Sequence, residues 1–321
     1  MAPKTTFQKK AAILSALIII LASTYIFGLV LTSENRRDAS FAWLDKSLLV
    51  MADRIEIYGS QGQNILSRRN GIWVYSGEAG DLPVKQDRVD DLLNLLTRKD
   101  VHPVRAQSSE GMERLGLIEG SASRIILRGG AGLPLLDLLI GQPDALGRDV
   151  FLRRAGWNQI YSSEDKYTFF TELKPEAWYE LRLFRLNASE SGRSTSAFEI
   201  ITTDMVQQVE VAFSGAETFT LRRNGPGWIM PGSEITPDAI LVEAWLRSAL
   251  EAEGDSFSMP PETIESSITL RLGDGSSLTL QAGPADEENN RSAVVSGSQL
   301  AFLLTERTYN RIFRESSFYL Q

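Results

Sequence analysis

His102 is the single histidine, and the chain has no cysteine. Nucleophilic catalysis through a Cys–His pair and metal binding by several imidazoles or thiolates therefore lack their parts. No disulfide framework is possible either. His102 stands beside Pro103, with no Ser or Asp set by spacing as its partner. It reads as a surface or loop-packing side chain rather than a general base. Arginine pairs offer more. Arg68-Arg69 precedes Asn70-Gly71, and Arg222-Arg223 precedes Asn224-Gly225. Guanidinium groups grip carboxylate or phosphate bidentately, so Arg68, Arg69, Arg222 and Arg223 are the candidate binding residues. The plainer reading is that they are solvated side chains guarding a strand beside a turn.

Other groups carry weaker chemistry. Asp144 and Asp149 flank a glycine-containing turn, and two carboxylates about 5–9 Å apart can hydrolyse glycosides. Aspartates also sit in turns because they bond their own backbone, which is the favoured reading. Asp286-Glu287-Glu288-Asn289-Asn290 is rich in oxygen ligands, but it lacks the alternation and turn glycine of a calcium loop. It reads as a solvated hairpin tip. Trp73 and Trp228 could be platforms for sugars, but their position facing a helix stripe suits a core. Gly129-Gly130-Ala131-Gly132 leads to Pro134 rather than into a helix, so it is no phosphate loop. No catalytic residue, metal or cofactor is expected.

The elements that must position these residues show a period. Arg54 to Tyr58 alternates polar and apolar, as a half-buried strand does. A second strand follows over Asn64 to Arg69. Asn70-Gly71 favours a tight hairpin turn into Ile72 to Tyr75. Val89, Leu92, Leu93 and Leu96 then form one helical stripe. About 150 residues later the plan returns: Val209 to Val211, Arg222 to Gly225, Trp228, then Val242, Trp245, Leu246 and Ala249. Thr236-Pro237 looks like the cap and first turn of that second helix. Short helices are expected near 110–114, 165–173, 176–184 and 306–313. Strands are expected around Ile125, Leu138, Leu152 and Ile160, and around Leu270, Leu280, Val294 and Leu303.

The fold class read from this pattern is α+β: an N-terminal transmembrane helix followed by two tandem repeats, each an antiparallel sheet with a helix on one face. Segment 1–32 is a cytoplasmic tip and anchor, 33–52 a juxtamembrane piece, 53–190 the first repeat and 191–321 the second.

The anchor rests on residues 11–32, which contain no charged side chain. At about 1.5 Å per residue a helix of this length spans roughly 33 Å, enough to cross a bilayer. Lys4, Lys9 and Lys10 precede it, so the N-terminus belongs in the cytoplasm and the rest of the chain beyond a cytoplasmic (inner) membrane. The run continues past Ala22-Ser23 without the small-residue cleavage pattern of a signal peptide. The chain of 321 residues is 43% hydrophobic with net charge −8, which argues against a nucleic-acid partner. Residues 204–321 hold eight Arg, no Lys and seventeen acids.

A strand–turn–strand leading to Trp73, the Val89-to-Leu96 helix, Leu115-Gly116-Leu117, the Ile140-Gly141 turn and Glu180-Leu181-Arg182-Leu183-Phe184 together resemble the family catalogued as domain of unknown function 4340. The likeness covers nearly all of 45–321. In the second half Met259-Pro260-Pro261 stands where Leu115-Gly116-Leu117 would be. The resemblance implies a single-pass envelope protein associated with a gliding-motility-type ABC transporter, and supplies no catalytic residue. The expected function is therefore a membrane-anchored, non-enzymatic, extracytoplasmic partner of transporter subunits. The alternatives are an anchored module binding an envelope polymer or small anion through the paired arginines, and a glycan hydrolase.

Overall fold

The structure, a computed structural model, describes residues 21, 23, 39–77, 80–107, 111–187, 198–215 and 218–320. The expected membrane helix over 11–32 lies outside them, apart from Leu21 and Ser23, which are helical. Among the described residues no helix is long and apolar enough to cross a membrane. The chain is α+β and dominated by antiparallel sheet, in two compact units, Met1–Trp178 and Tyr179–Gln321. The expected boundary at 190/191 falls in 188–197, outside the described residues. The units divide earlier because Leu181, Leu183 and Phe184 bury themselves in the second core.

The first unit contains β1 (Ala39–Phe41), β2 (Ala52–Gly59), β3 (Gly62–Arg69), β4 (Ile72–Gly77), β5 (Gly80–Pro83), β6 (Asp100–His102), β7 (Val104–Ala106), β8 (Ser123–Gly129), β9 (Pro134–Pro143), β10 (Asp149–Arg154) and β11 (Ile160–Glu164). Its main sheet runs β5-β4-β3-β2-β8-β9-β10-β11-β7, and β1 pairs separately with β6. Asn70 (φ 52°) and Gly71 (φ 85°) make the two-residue hairpin turn that Asn-Gly favours. The helix Gln86–Thr97 buries the whole stripe Val89, Leu92, Leu93 and Leu96. Ile55, Ile57, Leu66, Trp73 and Tyr75 of the sheet are buried too.

The second unit contains β12 (Arg185–Asn187), β13 (Phe198–Ile200), β14 (Val206–Phe213), β15 (Phe219–Asn224), β16 (Gly227–Ile229), β17 (Ser256–Ser258), β18 (Ser266–Leu272), β19 (Ser277–Ala285), β20 (Arg291–Val295) and β21 (Ala301–Leu304). Its sheet runs β16-β15-β14-β18-β19-β20-β21-β17. The first sheet read from β4 follows the same path: three strands, the strand after the helix region, its meander, and last a short strand from the segment between the helix and that meander, β7 here and β17 in the second unit. Helix Ala239–Leu250 buries Val242, Trp245, Leu246, Ala249 and Leu250 against Val209, Val211 and Leu221.

Several local expectations change. The second helix is capped by Asp238 rather than Thr236, because the Asp238 carboxylate reaches both Ile240 N (2.8 Å) and Leu241 N (3.2 Å). Of the short helix expected near 110–114, residue 110 lies outside the described residues, Gly111 is 3-10 helical and 112–116 are turns, closed by Leu117 N donating to Met112 O at 2.7 Å. The segment 176–184 is helical only over Pro175–Trp178. Beyond it Arg182 bridges to Glu253, and extended chain delivers Leu181 and Leu183 into the second core. The stretch around His102, read above as surface or loop, holds the short strands β6 and β7.

Candidate functional site

The four arginines are not equivalent pairs. Arg68 lies opposite Trp73 on the neighbouring strand and Arg69 opposite Ile72. In the second unit Arg223 lies opposite Trp228, and Arg222 opposite Ile229. The sister strand agrees: Ile55 faces Leu66 and Arg54 faces Ser67, whereas Val209 faces Leu221 and Gln208 faces Arg222. Arg222 therefore occupies the position of Ser67, and Arg223 that of Arg68. The hairpin turn in the second unit is Gly225-Pro226, one residue further along than Asn70-Gly71. A one-residue slip turns each side chain to the opposite face.

Their surroundings differ accordingly. Arg68 Nε donates to Gly71 O at 3.2 Å, and Arg69 pairs with Asp81 at 3.1 Å on the surface. Arg223 is built into the fold. Its guanidinium lies 4.6 Å from the Trp228 ring centroid and donates to Val206 O, Thr203 O and the Glu243 carboxylate, the last at 2.8 Å. Glu243 also accepts from Trp228 Nε1 at 2.9 Å, which ties β15 and β16 to the helix. Trp228 and Trp73 are both buried and are core side chains, not open platforms. The Trp73 backbone is clasped by Gln86, which accepts from Trp73 N and donates to Trp73 O.

Arg222 is different. It is exposed and makes no ion pair or hydrogen bond among the described residues. It borders a cavity of about 470 Å³ with Gln208, Thr218, Thr220, Ser233 and Ser316 among its polar lining, over a floor that includes Phe219 and Met230. An unpaired guanidinium beside several hydroxyls is suited to a carboxylate or phosphate group. Arg222 was in the sequence reading, but the residues that give it a cavity were not. Their trace was there: Thr220 and Arg222 alternate along one strand face, and Gln208 faces Arg222 across the ladder.

The remaining candidates resolve locally. Asp144 Oδ1 accepts from Arg148 N at 2.8 Å and Asp149 N at 3.3 Å, and the Arg148 amide above all holds its carboxyl below the usual carboxylate range. Asp149 pairs with Arg105 at 3.6 Å. Asp286 likewise accepts from Glu288 N and Asn290 N to shape its hairpin. No three His, Asp or Glu gather to hold a metal ion among the described residues.

His102 departs most from expectation. It is fully buried in β6, not in a surface loop, and neither ring nitrogen has a hydrogen-bond partner. Phe41 and Trp43 close on it with ring centroids at 4.8 and 5.0 Å, and both also pack on Tyr161. Trp43 Nε1 donates to Tyr167 Oη at 3.0 Å; burial pushes that phenol up to about 12. Burial depresses the imidazole's own pKa, against a weaker opposite pull from Asp100. The apolar segment before β2 therefore docks through Phe41 and Trp43 rather than acting as a slack tether.

The family model for domain of unknown function (DUF4340) matches residues 73–256, more than half of the chain. The chain belongs to the DUF4340 family. A search of curated proteins and a search of solved structures each returned no match. In this DUF4340 protein the two glycine motifs meet in space. A Cβ on Gly141 would lie 2.2 Å from Leu115 O, and Gln142 N donates to that carbonyl at 2.9 Å. Gly116 has φ +70°, which bends the chain so that Leu117 also reaches Gly141. In the second unit Gly283 is approached instead by Pro261, whose Cβ would be 2.7 Å from an added methyl. Met259-Pro260-Pro261 thus fills the place of Leu115-Gly116-Leu117 with different residues on the same kind of glycine notch.

Proposed function

We propose that this DUF4340 protein is a membrane-anchored, non-enzymatic, extracytoplasmic partner of an ABC transporter of the gliding-motility type. The observation that carries the reading is the uncharged run 11–32, before which the only charged side chains are lysines, on the same chain as two sheet-and-helix units. By the positive-inside tendency it supports an N-terminus in the cytoplasm and both units beyond the cytoplasmic membrane. The matching strand orders, the helix stripes at like positions and the two glycine notches support an origin by tandem duplication. Two related sheets on one anchor suit a recognition scaffold. The transporter association is what the resemblance stated above implies, and no contact in the fold is its source. Two measurements test the reading. The chain should resist alkaline extraction from membranes, and a transporter ATPase or permease should co-purify from mild detergent. Release by alkali, or recovery of the chain alone, would count against it.

A second reading is favoured by one observation, the unpaired Arg222 over its cavity. On this reading the second unit binds an anionic envelope polymer or small anion. An acidic polysaccharide should raise the melting temperature of the wild-type chain and of Arg68→Ala, but not of Arg222→Ala. Equal protection of all three would remove it.

A further inference from the structure

Two neighbouring turns at one end of the first unit expose apolar side chains that its core does not use. The first is the 3-10 turn Lys46–Met51, which Asp45 caps by accepting from Ser47 N at 2.8 Å. Val50 is 84% exposed and Met51 49%. The second is Gly130–Pro134 between β8 and β9, where every residue is exposed, none is charged, and Leu133 is 53% exposed. The two turns meet at Gly129. A Cβ there would lie 2.8 Å from Met51 O, and Gly129 N donates to Leu133 O at 2.8 Å. Ala131 adopts φ 57° and Gly132 φ 78°, a left-handed pair that a non-glycine residue enters at a cost, and the pair turns Leu133 outward. Charged side chains stand at the rim, among them Asp45, Lys46, Asp53 and Arg54.

We propose that this tip sits in the interfacial layer of the bilayer that the chain's own run 11–32 enters. The inference rests on the anchor reading above. Chain length selects lipid as the occupant. From Thr32 to Ala39 is seven steps, so β1 starts no more than about 25 Å from the end of the run. The path onward is pinned, because Trp43 and Leu44 are buried and Leu44 N donates to Leu96 O at 3.0 Å. Lys46–Met51 follows at once. A short tether thus brings an uncharged, apolar tip to a lipid surface, and interfacial insertion of such side chains is favourable.

The absence of cysteine makes the test clean. Nitroxide labels go on Val50→Cys, Leu133→Cys, Leu146→Cys and Ile19→Cys in the full chain, reconstituted in phosphatidylethanolamine–phosphatidylglycerol vesicles. Leu146 is 75% exposed and follows the far end of β9, whose ten residues span about 33 Å. Labels at 50 and 133 should show an oxygen-to-nickel-chelate collision ratio several-fold above that at 146. Labels at 50 and 133 that behave like 146 while 19 reports hydrocarbon would overturn the tip and leave the anchor standing. A label at 19 in water would overturn both. Shielding from nickel at 50 and 133 without oxygen enrichment would mean a protein cover, and would also overturn the proposal.

Discussion

His102 is the residue whose environment has the clearest consequence for stability. Its folded pKa lies below the ordinary imidazole value, because burial among Phe41 and Trp43 penalises the charged ring. The unfolded chain takes up a proton below about pH 6.5, and the native chain does so only at lower pH. Stability is therefore unaffected by this group above that value and falls as pH drops beneath it. The urea midpoint should decrease from pH 7.5 to pH 5.5 in the wild type, and by less in His102→Leu. Parallel decreases in both would show that other groups are responsible. The arginines give a second contrast. Arg223→Ala should cost about 2–3 kcal/mol, because it strips charged hydrogen bonds from Glu243, Val206 O and Thr203 O in a partly buried site. Arg69→Ala removes only an exposed pair with Asp81 and should cost less than about 1 kcal/mol. Equal losses in denaturant melts would contradict the register assigned to the two hairpins.

At the scale of elements, the notch at Gly141 locks the turn Leu115–Leu117 onto β9. Gly141→Ala places a methyl against a backbone carbonyl that already accepts from Gln142, so the turn must move. The expected loss is about 1–3 kcal/mol, read from denaturant unfolding. A variant as stable as the wild type would mean the turn is not seated as described. The helices behave as their stripes require, since both bury the residues spaced at i, i+3, i+4 and i+7. Strand alternation was equally readable at β2 and β14. The pairing of β1 with β6 was not, because its partners lie some sixty residues apart and each strand is only three residues long.

For the whole molecule, the core of the second unit draws on residues from Leu181 to Tyr319. Helix Ala239–Leu250, the eight-stranded sheet and the closing turn Ser316–Leu320 all contribute. A fragment of residues 179–321 is therefore expected to fold, with near-ultraviolet circular dichroism and one cooperative melt. A fragment starting at 191, at the boundary expected from the sequence, would lack Leu181, Leu183 and Phe184 and should melt lower. Identical melts would place the boundary back at 190/191.

The residues alone determined the sheet-rich α+β class, the two helix faces, the Asn70-Gly71 turn and the family, because each is written in local spacing. Tertiary structure decided what depends on distant partners. A single-residue offset between two hairpins leaves Arg222 unpaired over a cavity and ties Arg223 to Glu243 in a partly buried site. His102 is enclosed by aromatic rings that arrive from sixty residues away. Cross-strand register and burial are set by the whole sheet, and a short motif read along the chain contains neither.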